Sequence, residues 1–505
     1  MTSRPKLTRA ACLLGLAALT CCDLSGCDLA PAYQTPHPIL PASYQGSGPF
    51  TVAHPLDTLP RGPWWEAFGD PVLDTLEAQL ELDNPTLMAA YETYTQSRDL
   101  AGEARAGLFP QMSANVQTSD NKQSEHRLFR NSSVGQNEQS SNAIGATVAW
   151  DPDFWWRIRN ETKLYKEQAQ ATAADVASAK LSLEVELASD YMALRGLDTQ
   201  HAVYTQSITL YRKAVDITSM RLAGKISSGL DVARAQNQLA AAEAEDTATE
   251  ASRATLQHAI AVLTGTNPSS FTIAPVAEGH LVVPLVPAGV PSILLQRRPD
   301  IAAAERTMAA ASSSIGVSRA AFYPDLTISL QSGFQDYGWS LASLPNSMWA
   351  VGSQAILPLF EGGLRKAELQ RSWSQYSQTA DNYRATVLAA FQQVEDGLSL
   401  TNILSTELQQ QVAAVQSADK AQNMTLALYT GGLDNYLDVT VAQVEALTAQ
   451  IAAVQVQTTR LQAAVNLIGA LGGGWSTNEL PTPDQTLPFN PLSPNRSPGD
   501  VHTPT

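Results

Sequence analysis

Apolar residues in the last quarter of the chain recur with a helical period. Leu437, Val441, Val444, Leu447, Ile451, Val454, Thr458, Leu461, Val465 and Ile468 step by three or four, with Thr458 the one polar member. Val176, Ala179, Leu183, Leu187, Tyr191 and Leu194 keep the same spacing earlier in the chain. Sustained alternation of three and four predicts helices that interlock side by side, as in a coiled coil. Proline placement agrees. Residues 153–267 and 359–480 contain no proline, although the chain has 29, and proline is the strongest helix breaker. Each block is interrupted by one glycine turn, Ala223-Gly224-Lys225-Ile226-Ser227-Ser228-Gly229 and Thr430-Gly431-Gly432-Leu433-Asp434-Asn435. Each therefore reads as a helical hairpin with a long first arm. The arm over 153–223 would extend about 105 Å. A plain coiled-coil filament has the same period.

Between the hairpins the period changes to two. In 111–119, Met112, Ala114 and Val116 share one face, and Gln111, Ser113, Asn115 and Gln117 the other. Ile144, Ala146, Val148 and Trp150 alternate in a partner strand. Leu326, Ile328, Leu330 and Phe334 do so in 325–334, and Trp349, Val351, Ala355 and Leu357 in a fourth segment. Strands are expected at about 111–120, 142–151, 325–335 and 347–358. About ten alternating residues suit a tilted strand crossing an outer membrane, apolar side to lipid and polar side to a wet lumen. They equally suit a half-buried hairpin of a soluble sheet, but the uniform Gln, Ser, Asn and Thr face favours the lumen. Trp150, Phe154, Trp155 and Trp156 gather at one strand end, where an interfacial aromatic girdle would sit. The loop 120–142 is long and polar. Four strands cannot close a barrel, and open sheet edges are not viable in lipid. Several chains are needed, and three would supply twelve strands.

The chain is internally duplicated. Leu230-Asp231-Val232 matches Leu437-Asp438-Val439, Gly224 matches Gly431, and Gly265 matches Gly472, each 207 positions apart. Phe109-Pro110 matches Tyr323-Pro324 at an offset of 214.

The four cysteines, Cys12, Cys21, Cys22 and Cys27, all lie in the first 27 residues, which excludes a disulfide framework or a cysteine zinc site in the body. Arg4, Lys6 and Arg9 precede an apolar stretch over 10–22, the form of an export signal. Leu24-Ser25-Gly26-Cys27 then resembles a bacterial lipobox, so cleavage before Cys27 and its diacylglycerol and N-acyl modification are expected. A net charge of −16 argues against a nucleic-acid partner. No continuous apolar run after the first thirty residues is long enough to span a bilayer. Catalytic motifs are absent, so no enzyme and no cofactor beyond that lipid are expected. The seven histidines show no metal-ligand spacing, and no metal site is expected. Arg297 and Arg298 precede Pro299, a favoured first helical residue, and read as a structural helix start with Asp300 in its first turn.

Four further segments carry a resemblance: Cys27-Asp28-Leu29-Ala30-Pro31-Ala32-Tyr33-Gln34-Thr35-Pro36; Trp64-Trp65-Glu66-Ala67-Phe68-Gly69-Asp70-Pro71-Val72-Leu73; Leu294-Leu295-Gln296-Arg297-Arg298-Pro299-Asp300-Ile301 with Ala304-Glu305-Arg306; and Ile315-Gly316-Val317-Ser318-Arg319-Ala320-Ala321-Phe322-Tyr323-Pro324. With the order of elements, they resemble the TolC-like outer-membrane efflux proteins, in the lipoprotein (NodT-type) branch of tripartite RND drug-efflux systems, over roughly residues 27–475.

The resemblance implies a mainly α fold with a small β part. Three chains would form a 12-stranded outer-membrane β-barrel, four strands each, continued by a periplasmic α-helical barrel. It implies a passive exit duct served by a periplasmic adaptor protein and an inner-membrane RND-type pump. The alternatives are a TolC-like channel for type I protein secretion and a pore-less lipid-anchored periplasmic coiled-coil scaffold. The expected organisation is a signal peptide at 1–26, an anchored segment at 27–64, a first repeat at 65–267, a linker at 268–291, a second repeat at 292–474, and a Pro-rich, disordered tail at 475–505. Short helices near 72–107 and 227–264, stacked end to end, would lie beside each long arm. The hairpin tips would form the aperture, with Asp231 and Asp438 as gate carboxylates and Gly224, Ser227, Gly431 and Gly432 in adaptor-docking turns. Ser228/Asp231 and Asn435/Asp438 also have helix-capping spacing. Two departures stand out. Phe154-Trp155-Trp156-Arg157 replaces the family's Phe-Gly-Arg, so that turn is expected to differ. Asp28 follows the lipidated cysteine, which in enteric bacteria favours inner-membrane retention.

Overall fold

The computed structural model describes residues 27–36, 63–122, 124, 138–276, 283–284 and 291–487. The signal peptide expected at 1–26, most of the polar loop between the first two strands and the end of the Pro-rich tail lie outside the described residues.

Two hairpins dominate. Helix α3 (Arg157–Ala223) and α4 (Gly229–Leu263) form the first, and α7 (Leu364–Thr430) and α8 (Tyr436–Ala470) the second. The long arms have 67 residues each and the return arms 35 each, 207 positions apart at both ends. Each long arm is about 100 Å. Of the described helices, α8 alone is apolar and long enough to cross a membrane. It packs along α3 and α7 instead, which is what its interlocking period predicts.

The single short helix expected near 72–107 is two helices, α1 (Pro71–Asp83) and α2 (Pro85–Ala106). The cause is Pro85, which lacks the N–H to continue the ladder and forces the preceding residue out of the helical region. Asn84 is accordingly extended, at φ −70° and ψ 117°, and its side chain caps Leu87 N. The second repeat breaks at the equivalent point, between α5 (Pro291–Arg297) and α6 (Pro299–Ala320). At both breaks the return arm of a hairpin ends. Asn84 Nδ2 donates to Leu263 O at 2.7 Å, and Arg298 donates to Ala470 O at 2.9 Å. The rest of the Arg298 guanidinium binds Asp300 and Gln393, so it is saturated by structural partners. Each return arm thus meets a short helix end to end beside a long one. The main apolar core lies between α1, α2, α3, α4 and α8 around Leu73, Leu80, Leu187, Tyr191 and Ile260. A second joins α6, α7 and α8 around Ile301, Val394 and Leu398.

The tail expected to be disordered from 475 is ordered to 487. Ser476 caps a short turn with Glu479, Gln170 donates to Pro481 O at 2.9 Å, and Thr486 is fully buried. Trp475 and Leu480 pack against Ala174 of α3 and Ala302 and Ala303 of α6; these partners are far away in sequence, so composition alone does not reveal them.

Strands β1 (Gln111–Lys122), β2 (Glu138–Trp150), β3 (Asp325–Asp336) and β4 (Ser347–Ile356) form one antiparallel sheet in chain order. The register places Met112 opposite Val148, Val148 opposite Leu330, and Leu330 opposite Val351. All apolar sets therefore fall on one face, because a strand repeats every two residues. No described element covers that face. Met112, Val116, Trp349 and Val351 are each about two-thirds or more exposed. An uncovered apolar sheet face is not a soluble half-buried hairpin, and it matches the lipid side of an outer-membrane strand set. At the helical end, Trp150 donates to Leu108 O and Trp155 to Pro324 O, while Trp155 stacks on Tyr323 at 4.6 Å.

The turn into α3 was expected to differ from the family's. It keeps a left-handed cap even so. Trp156 has φ 57° where the second repeat has Gly363 at φ 91°. A left-handed residue with a Cβ costs about 1–2 kcal/mol. Offsetting contacts are present. The Asp153 carboxylate accepts from Ile158 N and Arg159 N, and Arg159 lies over the Trp156 ring at 5.5 Å.

One buried acid lies outside the expected sites. Glu77 on α1 is fully buried, and neither carboxyl oxygen has a hydrogen-bond partner. Burial, then the nearby Glu184 and Glu81, push its carboxyl up to about 10. Burial also pushes Glu184 up to about 7, although Trp64 Nε1 donates to it at 3.1 Å. The folded chain therefore holds a proton on Glu77 that the unfolded chain releases at its ordinary pKa of 4.5. Stability is full below that value and falls as pH rises towards the folded value. Glu77→Gln should flatten this slope and stabilise the detergent-solubilised protein at about pH 8 by on the order of 3 kcal/mol. Thermal unfolding of both proteins across neutral to alkaline pH checks it, and parallel curves would count against the buried proton.

Candidate gate and membrane anchor

The first tip turns on Lys225, at φ 58°. Ile226 N and Ser227 N both donate to Arg221 O, closing the end of α3. Ser228 then caps α4. Its Oγ accepts from Leu230 N at 2.9 Å, and Asp231 accepts in return from Ser228 N at 3.3 Å. Ser227 Oγ donates to the same Asp231 oxygen at 2.7 Å, and Arg234 lies 4.0 Å away. Asp231 is thus held by its own turn.

The second tip uses glycine where the first uses lysine. Gly432 has φ 75°, the left-handed conformation that ends many helices. Asn435 caps α8 and donates through Nδ2 to Asp438 at 2.9 Å. Both capping pairs read from the sequence therefore form. Asp438 differs from Asp231 in its neighbour. A hydrogen bond shared with the Asp434 carboxyl, then slight desolvation and the charge of Asp434, hold Asp438 above the ordinary aspartate value, partly offset by Asn435. The second tip carries a carboxylate pair and the first a single one.

The two tips are tied together. The Arg221 guanidinium, at the end of α3, donates to Tyr429 O at 2.8 Å and lies over the Tyr429 ring at 4.5 Å. Tyr429 packs edge-on against Tyr436, 5.3 Å away, and both are buried with Ala214, Ala235 and Val439. Sequence reasoning passed over Arg221, Tyr429, Tyr436 and Asp434. A signal was present. At the 207-residue offset these positions face Leu428, Leu222, Gly229 and Ser227, so the two otherwise parallel repeats diverge here.

Cys27 is exposed, and the residues after it lie against the body. Asp28 Oδ1 accepts from Ala30 N at 2.9 Å and from Asn160 Nδ2 at 3.0 Å. Arg319 donates to Leu29 O at 3.0 Å, and Tyr33 donates to Glu305 at 2.5 Å. Asn160 is in the first turn of α3 and Arg319 in the last turn of α6, both next to the sheet. Cys27 therefore stands near the junction of strands and helices.

The model of the family described as outer membrane efflux protein matches residues 76–266 and 290–473, one segment in each repeat. The chain belongs to the outer membrane efflux protein family. Pyoverdine export outer membrane protein OpmQ of Pseudomonas aeruginosa is 30% identical over 424 residues, covering 82% of this chain and 88% of the relative. Toluene efflux pump outer membrane protein TtgC of Pseudomonas putida is 29% identical over 472 residues, covering 92% and 96%. Among solved structures, the outer-membrane channel OprN superposes with a TM-score of 0.82 at 25% identity, covering 89% of this chain and all of that one. The fold is that of the outer-membrane channels, mainly helical with a small membrane sheet. This member of the efflux protein family is an outer-membrane exit channel of an efflux system, a transport component and not an enzyme.

Proposed function

We propose that three copies of the chain assemble into one duct, lipid-anchored at Cys27, which receives small molecules from an inner-membrane RND-type pump through a periplasmic adaptor. One observation carries this reading. Among the described residues, the four-stranded sheet has an uncovered apolar face and two strands, β1 and β4, each hydrogen-bonded on one side only. Such edges are tolerated in lipid only when a closed barrel pairs them, and three sheets make the twelve strands already expected from the sequence. The polar face, with Gln111, Ser113, Asn115, Gln117, Thr327, Ser329 and Gln331, would line a wet lumen. A pore-less scaffold leaves the apolar face without a purpose. The relatives' names speak of pyoverdine and toluene, which favours small organic cargo over secreted protein.

At the far end, the glycine turns with Gly224, Ser227, Gly431 and Gly432 would present the docking surface for the adaptor. Asp231 and Asp438 would ring the aperture in threes, and such rings attract cations and obstruct anions. Capping and gating are compatible roles for the same side chains.

Cys27 would carry the diacylglycerol and an N-acyl chain. Its place beside the sheet supports this, because acyl chains there reach the same bilayer that the strands cross. Asp28 has a structural task in holding the segment to Asn160.

Density-gradient fractionation with unheated gels tests the assembly. A trimer-sized band in the outer membrane, co-purifying with an adaptor, is expected, and a monomer in the inner membrane overturns the duct. Cys27→Ser should lose palmitate labelling while still forming the trimer-sized band. Labelling that persists would place the lipid elsewhere.

A further inference from the structure

The first hairpin brings one side chain of α3 against two of α4 that lie at least 45 positions further along the chain. His201 lies on α3, and Asp246 and Glu250 lie one turn apart on α4. One donor atom from each falls within 4.8 Å of the other two, and His201 Nδ1 is 2.6 Å from Asp246 Oδ1. We propose that His201, Asp246 and Glu250 bind a divalent transition-metal ion of the zinc or cobalt type, which staples α3 to α4 about 33 Å above the tip.

The charge balance points to a cation. Two carboxylates at i and i+4 repel on a helix, and the nearby basic side chains are committed elsewhere. Arg253, three residues past Glu250, places Nε on Asp198 at 2.5 Å, one terminal nitrogen on Gln257 at 3.2 Å and the other on Ile273 O at 2.9 Å. Arg212 binds Glu243 at 2.8 Å. Glu250 has no basic partner among the described residues. Two carboxylates and a neutral imidazole leave a double negative charge that one divalent ion neutralises.

The donor set indicates which ion. Imidazole favours zinc, cobalt and their neighbours, whereas magnesium and calcium prefer all-oxygen sites. Three protein ligands leave a coordination position for water, so the site would be exchangeable rather than a permanent structural centre. The duplication supplies an internal control. At the 207-residue offset, the second hairpin has Leu408, Ala453 and Gln457. All three donors are absent together from a hairpin of the same length and course, so the hairpin architecture does not require them.

Titration of tag-free, full-length, detergent-solubilised protein with Co(II), followed by visible absorption, tests the site. One Co(II) per chain is expected, displaced by Zn(II) and raising the unfolding temperature. His201→Gln, Asp246→Asn and Glu250→Gln should each weaken binding by about tenfold or more. The largely exposed Glu250 keeps the test informative if a change at His201 disturbs the seam. Binding that survives His201→Gln, or that Mg(II) displaces as readily as Zn(II), would reduce the cluster to a diffuse acidic patch and overturn the proposal. Absence of any Co(II) spectrum would do the same.

Discussion

Gly472→Ala is expected to abolish the assembled channel. Gly472 has φ +99°, and a Cβ there would lie 2.0 Å from the Arg297 carbonyl oxygen and 2.8 Å from its carbon. The obstacle is backbone, fixed at the break before α6, so no side-chain rotation relieves it. Left-handed strain and the collision together should cost at least about 4 kcal/mol, the range reached by few single substitutions. Gly265 repeats the arrangement at φ +67°, with Asp83 O 2.3 Å from the added carbon. Gly432→Ala is the control. It is also left-handed, at φ +75°, but meets nothing within 4 Å, so only about 1–2 kcal/mol of backbone strain remains. Outer-membrane yield and the unheated oligomer band should vanish for Gly472→Ala and persist for Gly432→Ala. Equal yields would mean that the return arm need not stop where it does.

The second large effect is expected at the tip. Asp438→Ala should raise single-channel conductance and reduce cation selectivity in planar bilayers, because it would remove a carboxylate from each chain at the proposed aperture. Asp434 sharpens the expectation. Its hydrogen bond to Asp438 holds that carboxyl above the ordinary aspartate range, so Asp438 becomes neutral at a higher pH than an isolated aspartate. Cation selectivity of the unmodified channel should accordingly fall on acidification before ordinary carboxylates protonate, and Asp434→Asn should shift that loss to lower pH. Asp231 is held instead by Ser227 and Ser228. Conductance and selectivity unchanged in Asp438→Ala would remove it from the gate.

The long-range plan was legible because it is written in periodicity. Interlocking apolar positions, the two proline-free blocks and the glycine turns mark the hairpins, and strict alternation marks the strands. The matched offset of Gly265 and Gly472 announced a repeat, but the reason lies in the fold, a return arm stopped against a carbonyl at each helix break. What the sequence concealed depends on contacts between distant segments. Pro85 breaks a helix that its neighbours would continue, and residues 475–487 are held by partners on α3 and α6. Trp156 takes a conformation usually left to glycine because Asp153 and Arg159 support it. At the tip, Asp231 and Asp438 were legible as capping partners, since capping is local. The Arg221 and Tyr429 tie was not, because its members are 208 residues apart. His201, Asp246 and Glu250 escaped for the same reason. Ligand spacing along a chain cannot register donors that meet only across a hairpin.

The half-paired edges of β1 and β4 have a genetic consequence. A protein whose membrane part is completed only by its own copies fails collectively. A subunit with sound helices but a spoiled β4 edge would still be recruited and would leave each barrel it joins with a seam. If such a subunit and the normal one were made in equal amounts and mixed at random, only about one assembly in eight would contain three normal copies. Edge substitutions should therefore behave as dominant poisons of export, whereas substitutions that prevent the chain from folding, such as Gly472→Ala, should be recessive.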